Sequence, residues 1–204
     1  MMMKAVILIS GNGSNLQSII DHSDSIDLQI SAVISNNENA YGLKRAKIAD
    51  IETHFIDPIK FNTKENFDQE LIKIIDSHRI ELVVLAGYMR ILTPLFIDHF
   101  SGKILNIHPS LLPKYPGLDT HRKAINSSDK QHGATVHFVT EKLDGGPIIS
   151  QVVVNIEATD TELTLAAKVL DKEHVLYPKV IHWYTQNRLK LRNNDFATLD
   201  GKTL

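Results

Sequence analysis

The sequence predicts an α/β fold: an open, mostly parallel twisted sheet with helices on both faces, and antiparallel strands added toward the C-terminal part. Short, continuous apolar runs such as Val6–Ile9 and Leu82–Ala86 are typical of strands that are buried on both faces. Segments with helical spacing alternate with these runs, which indicates right-handed βαβ units. Near the end of the chain, the β-rich runs 134–139 and 148–156 are joined by the turn-forming segment 143–147, which favours an antiparallel pair.

The N-terminal elements follow from the same patterns. After the first strand, Gly11–Gly13 breaks the apolar run, and Ser14–Gln17 matches the S-x-x-Q capping box that opens a helix. Apolar runs and 3.6-residue spacing then predict the next elements in order: strand 30–34, helix 41–50, strand 53–56, a helix around 67–75, strand 82–86, helix 94–100 and strand 104–107.

The C-terminal part is predicted to hold one long helix. Thr159–Glu162 matches a second capping box, and the apolar stripe after it is formed by Leu163, Ala166, Ala167, Leu170 and Tyr177. Pro178 should kink or end this helix. The tail from Asn193 is polar and is predicted to be a surface turn with frayed ends. With no internal repeat or linker, residues 1–204 are expected to form a single domain.

Composition restricts the possible functions. The 204 residues contain no cysteine, which excludes disulfides, thiolate metal sites and cysteine nucleophiles. Twenty-two basic and 24 acidic residues give a net charge of −2, which disfavours a nucleic-acid partner, and the cluster Lys44–Lys47 is interpreted as a solvated helix face. The chain has no run apolar enough for a secretion signal or a membrane span, so we expect no membrane partner and a cytoplasmic location.

The turn Ser10–Asn15, between the first strand and the first helix, is a candidate anion site. Two glycines allow backbone N–H groups to converge at a helix N-terminus, where a phosphate is favoured. Leu16 stands where a dinucleotide fingerprint requires its third glycine, and no P-loop Gly-Lys follows. The alternative is an ordinary tight βα turn.

Asn106 and His108 are candidate catalytic residues. Because side chains alternate along a strand, both point to the same face, at the carboxyl end where open α/β sheets bind ligands. An amide N–H suits a developing oxyanion, and an imidazole can donate a hydrogen bond or transfer a proton near neutral pH. A purely structural histidine is the alternative.

The segment Asp144–Pro147 has the composition of a hairpin turn, and its functional interpretation requires Asp144 to fold back toward His108. No metal site is predicted: His132 and His137 are five residues apart and would lie on opposite faces of a strand. A G-x-S-x-G hydrolase motif is also missing.

Taken together, the motifs resemble those of the folate-dependent glycinamide ribonucleotide transformylases (phosphoribosylglycinamide formyltransferases). The matching segments are ISGNGSNLQ at the start, LAGYMRIL at 85–92, LNIHPSLLPKYPG at 105–117, HGATVHFVTEKLDGGPI at 132–148, and Glu173-His174. The resemblance covers essentially the whole chain. It implies a Rossmann-like fold and an enzyme of purine (IMP) biosynthesis that transfers the formyl group of 10-formyltetrahydrofolate, its cosubstrate, to the glycinamide amine, without a metal.

The resemblance also implies roles for individual residues. The ribonucleotide would be held by Gly11, Asn12, Gly13, Ser14, Asn15 and, at its glycinamide or ribose part, Glu173. The folate would be bound by Lys64, Met89, Arg90, Ile91, Leu92, Asn106, Thr140, Glu141 and Asp144, with the loop 140–144 closing over the pterin. Asn106 and His108 would stabilise the oxyanion, and Asp144 would keep His108 charged and assist proton transfer.

Two positions depart from the family pattern, with Lys64 in place of an expected Arg and Asp119 in place of a His. A monomer or a homodimer is compatible with the sequence. The alternative functions are another formyltetrahydrofolate enzyme, such as a deformylase, or a phosphate- or nucleotide-binding module without catalysis.

Overall fold

A computed structural model describes residues 2–204 and contains one large sheet and one small sheet. The strands of the large sheet are β1 (Met3–Ile9), β2 (Leu28–Ser35), β3 (Thr53–Phe55), β4 (Leu82–Leu85), β5 (Ile104–His108), β6 (Gln131–Phe138) and β7 (Ile148–Asn155). Their order is β3-β2-β1-β4-β5-β6-β7. The first five strands are parallel, whereas β6 and β7 are antiparallel to their neighbours. The predicted fold class is confirmed.

Helices cover both faces of this sheet. They are α1 (Ser14–His22), α2 (Tyr41–Ile48), α3 (Lys64–Ser77), α4 (Pro94–His99), α5 (Thr120–Asn126) and α6 (Glu162–Thr185). One buried apolar cluster contains residues of α1, α2, α5 and α6, and the other contains residues of α3 and α4. Along β1, Ile7 belongs to the first cluster and Leu8 to the second, as alternation along a strand requires. None of the helices within residues 2–204 has the length and apolar character needed to cross a bilayer.

The predicted capping box at the start of α1 is wrong. The N-cap is Gly13, in the left-handed conformation with φ of 73°, and it has no side chain that could accept a hydrogen bond. Gln17, the expected partner of Ser14, donates instead to Asp21 Oδ1 at 2.9 Å and accepts from Arg45. Glycine is used here because the chain turns through a conformation that other residues adopt only with strain.

Helix α6 is present as predicted, but its start and its buried face differ from the prediction. Its capping pair is Thr161 and Thr164, not Thr159 and Glu162, because the helix begins two residues later than the matched motif assumed. The buried stripe is correspondingly displaced and consists of Leu165, Val169, Leu176, Tyr177, Val180 and Ile181, whereas Leu163 is 82% exposed, Ala167 is exposed, and Ala166 and Leu170 are half-buried. Only Tyr177 of the predicted stripe is buried.

Pro178 lies inside α6, which continues to Thr185 rather than ending there. A proline has no N–H for the carbonyl four residues earlier, here that of His174. The Ser18 hydroxyl of α1 donates to this carbonyl at 2.6 Å instead. A contact between two helices thus replaces the missing hydrogen bond.

The prediction of a frayed, turn-like tail is also wrong. Strands β8 (Leu189–Arg192), β9 (Phe196–Leu199) and β10 (Lys202–Thr203) form a separate antiparallel sheet. Leu189 and Ala197 are each 2% exposed and pack in the first apolar cluster. These apolar anchors order a tail whose other residues are mostly polar.

The strand order puts a topological switch point between the neighbours β1 and β4. From β1 the chain continues to β2 on one side, and from β4 it continues to β5 on the other side. Ligands of open α/β sheets bind at the carboxyl ends of the strands at such a point. Beneath it, the buried Tyr177 hydroxyl lies within hydrogen-bond distance of the carbonyls of Leu85, at 2.9 Å, and Leu105, at 3.0 Å. Helix α6 therefore holds β4 and β5 together close to Asn106.

Candidate active site

The glycine turn after β1 is tied to the segment that follows β4. The Ser10 backbone N–H donates to the carbonyl of Gly87 at 3.1 Å, and the Ser10 hydroxyl accepts from the Met89 N–H at 2.8 Å. The same hydroxyl donates to Asn36 Oδ1. The predicted phosphate-binding turn and the predicted folate-binding segment are therefore neighbours at one end of the sheet.

The two glycines of this turn differ in their surroundings. A Cβ at Gly13 would lie 2.6 Å from Cα of Gly42, so this glycine allows the start of α2 to approach the turn. A Cβ at Gly11 would meet no atom of residues 2–204 within 4 Å. The space beside Gly11 is open, as a site for a ligand requires.

Arg45 of α2 contacts the glycine turn, whereas the sequence analysis interpreted its cluster as a solvated helix face. Its guanidinium donates to the Asn12 carbonyl at 3.0 Å, to Asn12 Oδ1 at 3.1 Å and to Gln17 Oε1 at 3.2 Å. The turn thus carries a fixed cation in addition to its backbone N–H groups. Sequence spacing gave no signal for this contact, because it depends on the packing of α2 against the turn.

Asn15 and Glu173 form a buried polar pair behind the turn. Asn15 Nδ2 donates to Glu173 Oε2 at 2.7 Å, and both side chains are buried. Burial raises the pKa of Glu173 to about 7, and the Asn15 hydrogen bond partly offsets this increase. Asn15 Oδ1 is buried with no hydrogen-bond partner among the described residues. A ligand that donates hydrogen bonds, such as one with hydroxyl or amine groups, would satisfy these acceptors.

The raised pKa of Glu173 predicts a pH-dependent stability. Since the folded protein binds this proton up to pH 7 and the unfolded chain releases it near 4.5, stability should fall as pH rises between these values. Glu173→Gln removes this penalty. Its free energy of unfolding relative to the parent chain should therefore increase by about 3 kcal/mol between roughly pH 4 and pH 8. Urea unfolding of both proteins at several pH values measures this difference, with the exposed Glu38→Gln as control; a difference that stays constant with pH would contradict the prediction.

On β5, Asn106 and His108 lie side by side, as alternation along the strand predicts. Asn106 pairs across the ladder with His137 of β6, and its Nδ2 is 3.1 Å from His137 Nε2. His137 Nδ1 lies 2.8 Å from the Phe138 carbonyl, which can only accept, so the proton of the neutral ring is on Nδ1 and Nε2 accepts from Asn106. Burial lowers the pKa of His137 and favours this neutral form. The Asn106 amide therefore has a fixed orientation and one N–H left for a ligand.

His108 lies between the carbonyl of Tyr115 and the carboxylate of Asp144. Nε2 is 2.8 Å from Tyr115 O, and Nδ1 is 3.4 Å from Asp144 Oδ2. Asp144 folds back from the β6–β7 connection with φ of 48°, and its Oδ2 also accepts from the Gly117 N–H at 2.8 Å. Both ring nitrogens of His108 face acceptor oxygens, an arrangement that a doubly protonated imidazolium satisfies.

The neighbouring histidines add little positive charge. His132 Nε2 is 3.1 Å from His121 Nδ1, and burial together with the repulsion between the rings lowers the pKa of His132 to about 4. The pKa of His121 is also lowered, mainly by burial. Both rings are therefore neutral near pH 7. The carboxylate of Asp144 faces two other rings, with Oδ2 3.4 Å from His108 Nδ1 and Oδ1 3.9 Å from His137 Nε2.

The segment after β4 presents two exposed apolar side chains, with Met89 67% and Ile91 60% exposed. Leu92 differs, since it is 7% exposed and packs in the second apolar cluster. The guanidinium of Arg90 lies 4.1 Å from the centre of the Phe67 ring. The end of the segment is held by buried Asp68, a residue the sequence analysis missed, which accepts from the Thr93 N–H and hydroxyl, each at 2.7 Å.

The other predicted folate residues are dispersed. Thr140 and Glu141 line a cavity of about 230 Å³, together with Ile97, Asp98, Ser101, Val139, Lys142 and Asn194. The lining residues from the described part of the chain do not include Lys64 or the segment 89–92. Lys64 is exposed at the start of α3. Asp119 forms an ion pair with Arg122 at 2.6 Å and precedes α5.

Comparison with known proteins shows the family of the chain. The family model described as formyl transferase matches residues 3–181. The chain belongs to the formyl transferase family. This formyl transferase is 52% identical over 204 residues to the phosphoribosylglycinamide formyltransferase of Escherichia coli (strain K12), covering 99% of the chain and 96% of that protein. It is also similar to the solved phosphoribosylglycinamide formyltransferase of Coxiella burnetii, with 47% identity, a TM-score of 0.96 and coverage of 100% and 96% of the two chains.

A third relative is a much longer protein. The trifunctional purine biosynthetic protein adenosine-3 of Homo sapiens is 38% identical over 193 residues, which are 94% of this formyl transferase but 19% of that protein. The similarity therefore extends over nearly all of the chain even where the relative carries much additional sequence.

Proposed function

We propose that the chain transfers the formyl group of 10-formyltetrahydrofolate to the amine of N1-(5-phospho-D-ribosyl)glycinamide in purine (IMP) biosynthesis. The observation that carries this proposal is the cluster of Asn106, His108 and Asp144 at the carboxyl end of β5, in a chain with full-length similarity to enzymes of that name. In the reaction, the amine nitrogen attacks the formyl carbon, and a tetrahedral intermediate forms. The bond from this carbon to N10 of the folate then breaks, and the proton lost by the amine is transferred to N10. The products are the N-formyl ribonucleotide and tetrahydrofolate.

The cluster supplies the groups that this step needs. The free N–H of Asn106 would donate to the oxygen of the tetrahedral intermediate, and His137 holds the amide in the orientation for it. His108, which faces the carboxylate of Asp144, would donate a second hydrogen bond and transfer the proton. Because the Tyr115 carbonyl accepts from His108 Nε2 in this structure, the proposal requires the substrate oxygen to displace that carbonyl. Holding the amine and the formyl carbon together supplies a further large part of the acceleration.

The ribonucleotide is assigned to the glycine turn. Its phosphate would accept hydrogen bonds from the backbone of Gly11, Asn12, Gly13, Ser14 and Asn15, and the charge of Arg45 stabilises an anion there. The ribose or glycinamide part would donate to Glu173 and to the unpaired Asn15 Oδ1. This end of the site is next to β1, and the folate is assigned to the adjacent segment 89–92 and the loop 140–144.

Substitution of the two glycines separates binding from folding. Gly11→Ala should weaken ribonucleotide binding by about tenfold or more while changing the free energy of unfolding by less than about 0.5 kcal/mol, because its Cβ enters only the open space of the turn. Gly13→Ala should destabilise the fold by about 2–4 kcal/mol, because its Cβ would contact Gly42 and its φ is positive. Calorimetric titration with the ribonucleotide and urea unfolding measure the two effects. Unchanged binding in Gly11→Ala would contradict the assignment of the phosphate to this turn.

A folate absorbance assay tests the proposed function directly. With 10-formyltetrahydrofolate present, tetrahydrofolate should form only when the ribonucleotide is added, and formate should not accumulate. Formate release that is independent of the ribonucleotide would identify a deformylase. Ribonucleotide binding without any formyl transfer would favour a non-catalytic binding module.

The setting of the enzyme belongs to the same proposal. We place it in the cytoplasm as a monomer or homodimer, acting on small molecules without a nucleic-acid or membrane partner. The net charge of −2 supports the absence of these two partners, because binding to nucleic acid or to an anionic membrane surface generally uses a basic excess.

A further inference from the structure

Away from the candidate active site, three side chains with metal-binding atoms meet beside β3. One carboxylate oxygen of Glu52 and one ring nitrogen each of His54 and His78 lie within 4.8 Å of one another. Glu52 Oε1 is 2.9 Å from His54 Nε2, although the pair is misaligned for a hydrogen bond. The rings of His54 and His78 pack edge to face, with centroids 5.6 Å apart.

The fold accounts for this meeting. Glu52 directly precedes β3 and His54 is the second residue of the strand, so the two are two residues apart and lie on the same side of the extended chain. His54 is the ladder partner of Ile34, which packs in the second apolar cluster with α3. His78 is the C-cap residue of the same helix, so the end of α3 brings it to the strand.

The position is also remote in topology from the formyl-transfer cluster. Glu52 directly precedes β3, and His78 follows α3 shortly before β4 begins. Both residues therefore lie at the end of the sheet where the parallel strands begin. Asn106 and His108 lie at the opposite end of the sheet, where the parallel strands finish. The three side chains have no part in the proposed reaction.

One ring nitrogen of each of the two histidines is unsatisfied. Nε2 of His54 and Nε2 of His78 are buried, and neither has a hydrogen-bond partner within residues 2–204. Buried polar atoms are normally paired, so such atoms in a cluster need an explanation. A cation bound between them would use both lone pairs and the Glu52 charge at once.

We propose that Glu52, His54 and His78 bind one Zn²⁺ ion, with a fourth position open to water or another small ligand. Two imidazoles and a carboxylate are ligands that zinc accepts with three protein groups, whereas Mg²⁺ and Ca²⁺ require mainly oxygen ligands. Ligands about 2.0–2.2 Å from a tetrahedral zinc ion are roughly 3.3–3.6 Å apart. Small rotations of the exposed Glu52 and the half-buried His54 and His78 side chains would bring the three atoms from within 4.8 Å to this spacing. The ion would connect the edge strand β3 to the end of α3.

Calorimetric titration of the metal-free chain with zinc chloride tests the proposal at a pH of about 7.5, above the ordinary pKa of histidine. We expect one ion per chain, no binding of magnesium chloride, and a loss of zinc affinity of about tenfold or more in each of His54→Gln, His78→Gln and Glu52→Gln. His99→Gln is the matched control, because this exposed histidine also faces a carboxylate, that of Asp76, but belongs to no cluster of three metal-binding side chains within residues 2–204. Formyl transfer should be unchanged in all four variants, which separates this test from that of the proposed function.

The possible outcomes decide the proposal. Zinc binding that survives in His78→Gln, that is lost equally in His99→Gln, or that occurs only with several ions per chain would overturn it. Since each variant could affect folding, its melting temperature without metal is measured first. In addition, zinc should raise the melting temperature of the parent chain and not that of a correctly folded His78→Gln chain.

Discussion

Replacing His108 with Ala should lower kcat for formyl transfer by a factor of about 10²–10⁴, because the reaction loses both a hydrogen-bond donor to the oxyanion and the proton-transferring group. The dissociation constant for the ribonucleotide should change less than about threefold, since its phosphate is assigned to the turn after β1 and not to β5. Steady-state kinetics and calorimetric titration with the ribonucleotide measure the two quantities separately.

The control for this substitution is His99→Ala. His99 is exposed at the end of α4 and forms an ion pair with Asp76, remote from β5, so its removal should leave kcat and ribonucleotide binding unchanged. A kcat of His108→Ala within about threefold of the parent value would exclude His108 from the chemical step. A loss confined to KM would instead assign it to substrate binding.

Asp144→Asn should lower kcat by about 10²-fold or more. The new carboxamide has the same shape and can still accept from the Gly117 N–H, but it removes the negative charge beside His108. The loop should therefore keep its conformation while the ring loses its charged partner. Kinetics at saturating concentrations of both substrates show this as a change in kcat.

The exposed Asp171→Asn is the matched charge-removal control on α6, and it should have the activity of the parent chain. A crystal structure or amide spectrum of Asp144→Asn establishes whether the 140–144 loop is retained. Full activity in a folded Asp144→Asn enzyme would remove the carboxylate from the mechanism.

The parts of the site that lie within one strand could be predicted from the sequence. Alternation along β5 places Asn106 and His108 on the same face whatever the rest of the fold does. The same local reasoning predicted the βαβ units and the β6–β7 pair, because each apolar run is long enough to indicate a strand.

The parts that depend on contacts between elements were not predictable in the same way. His137 meets Asn106 only through the register of β5 against β6, which sequence spacing does not define. Arg45 appeared to be one cation in a solvated cluster, and only the packing at Gly42 brings it to the turn. Asp144 was expected to approach His108, but the resemblance rather than the spacing suggested it.

The errors in the helices and the tail have a related cause. In α6, the matched capping motif was two residues from the threonine that caps the helix, and two residues of the predicted stripe, Leu163 and Ala167, lie on the exposed side. Pro178 was expected to kink or end the helix. The compensating donor, the Ser18 hydroxyl, lies on a different element, and sequence spacing does not reveal that contact. The strands after Asn187 are short and have few buried residues. These residues stabilise the tail by packing against the core, and this contact cannot be inferred from the tail sequence alone.

A crystal structure with the ribonucleotide and an unreactive analogue of 10-formyltetrahydrofolate tests the central claim most directly. We expect the phosphate on the turn 11–15 and the carbonyl oxygen that mimics the formyl group about 2.7–3.1 Å from Asn106 Nδ2 and from a ring nitrogen of His108. The Tyr115 carbonyl should have moved away from that ring. A carbonyl oxygen more than about 5 Å from both donors, with the phosphate bound elsewhere, would contradict the assignment of this cluster as the formyl-transfer site.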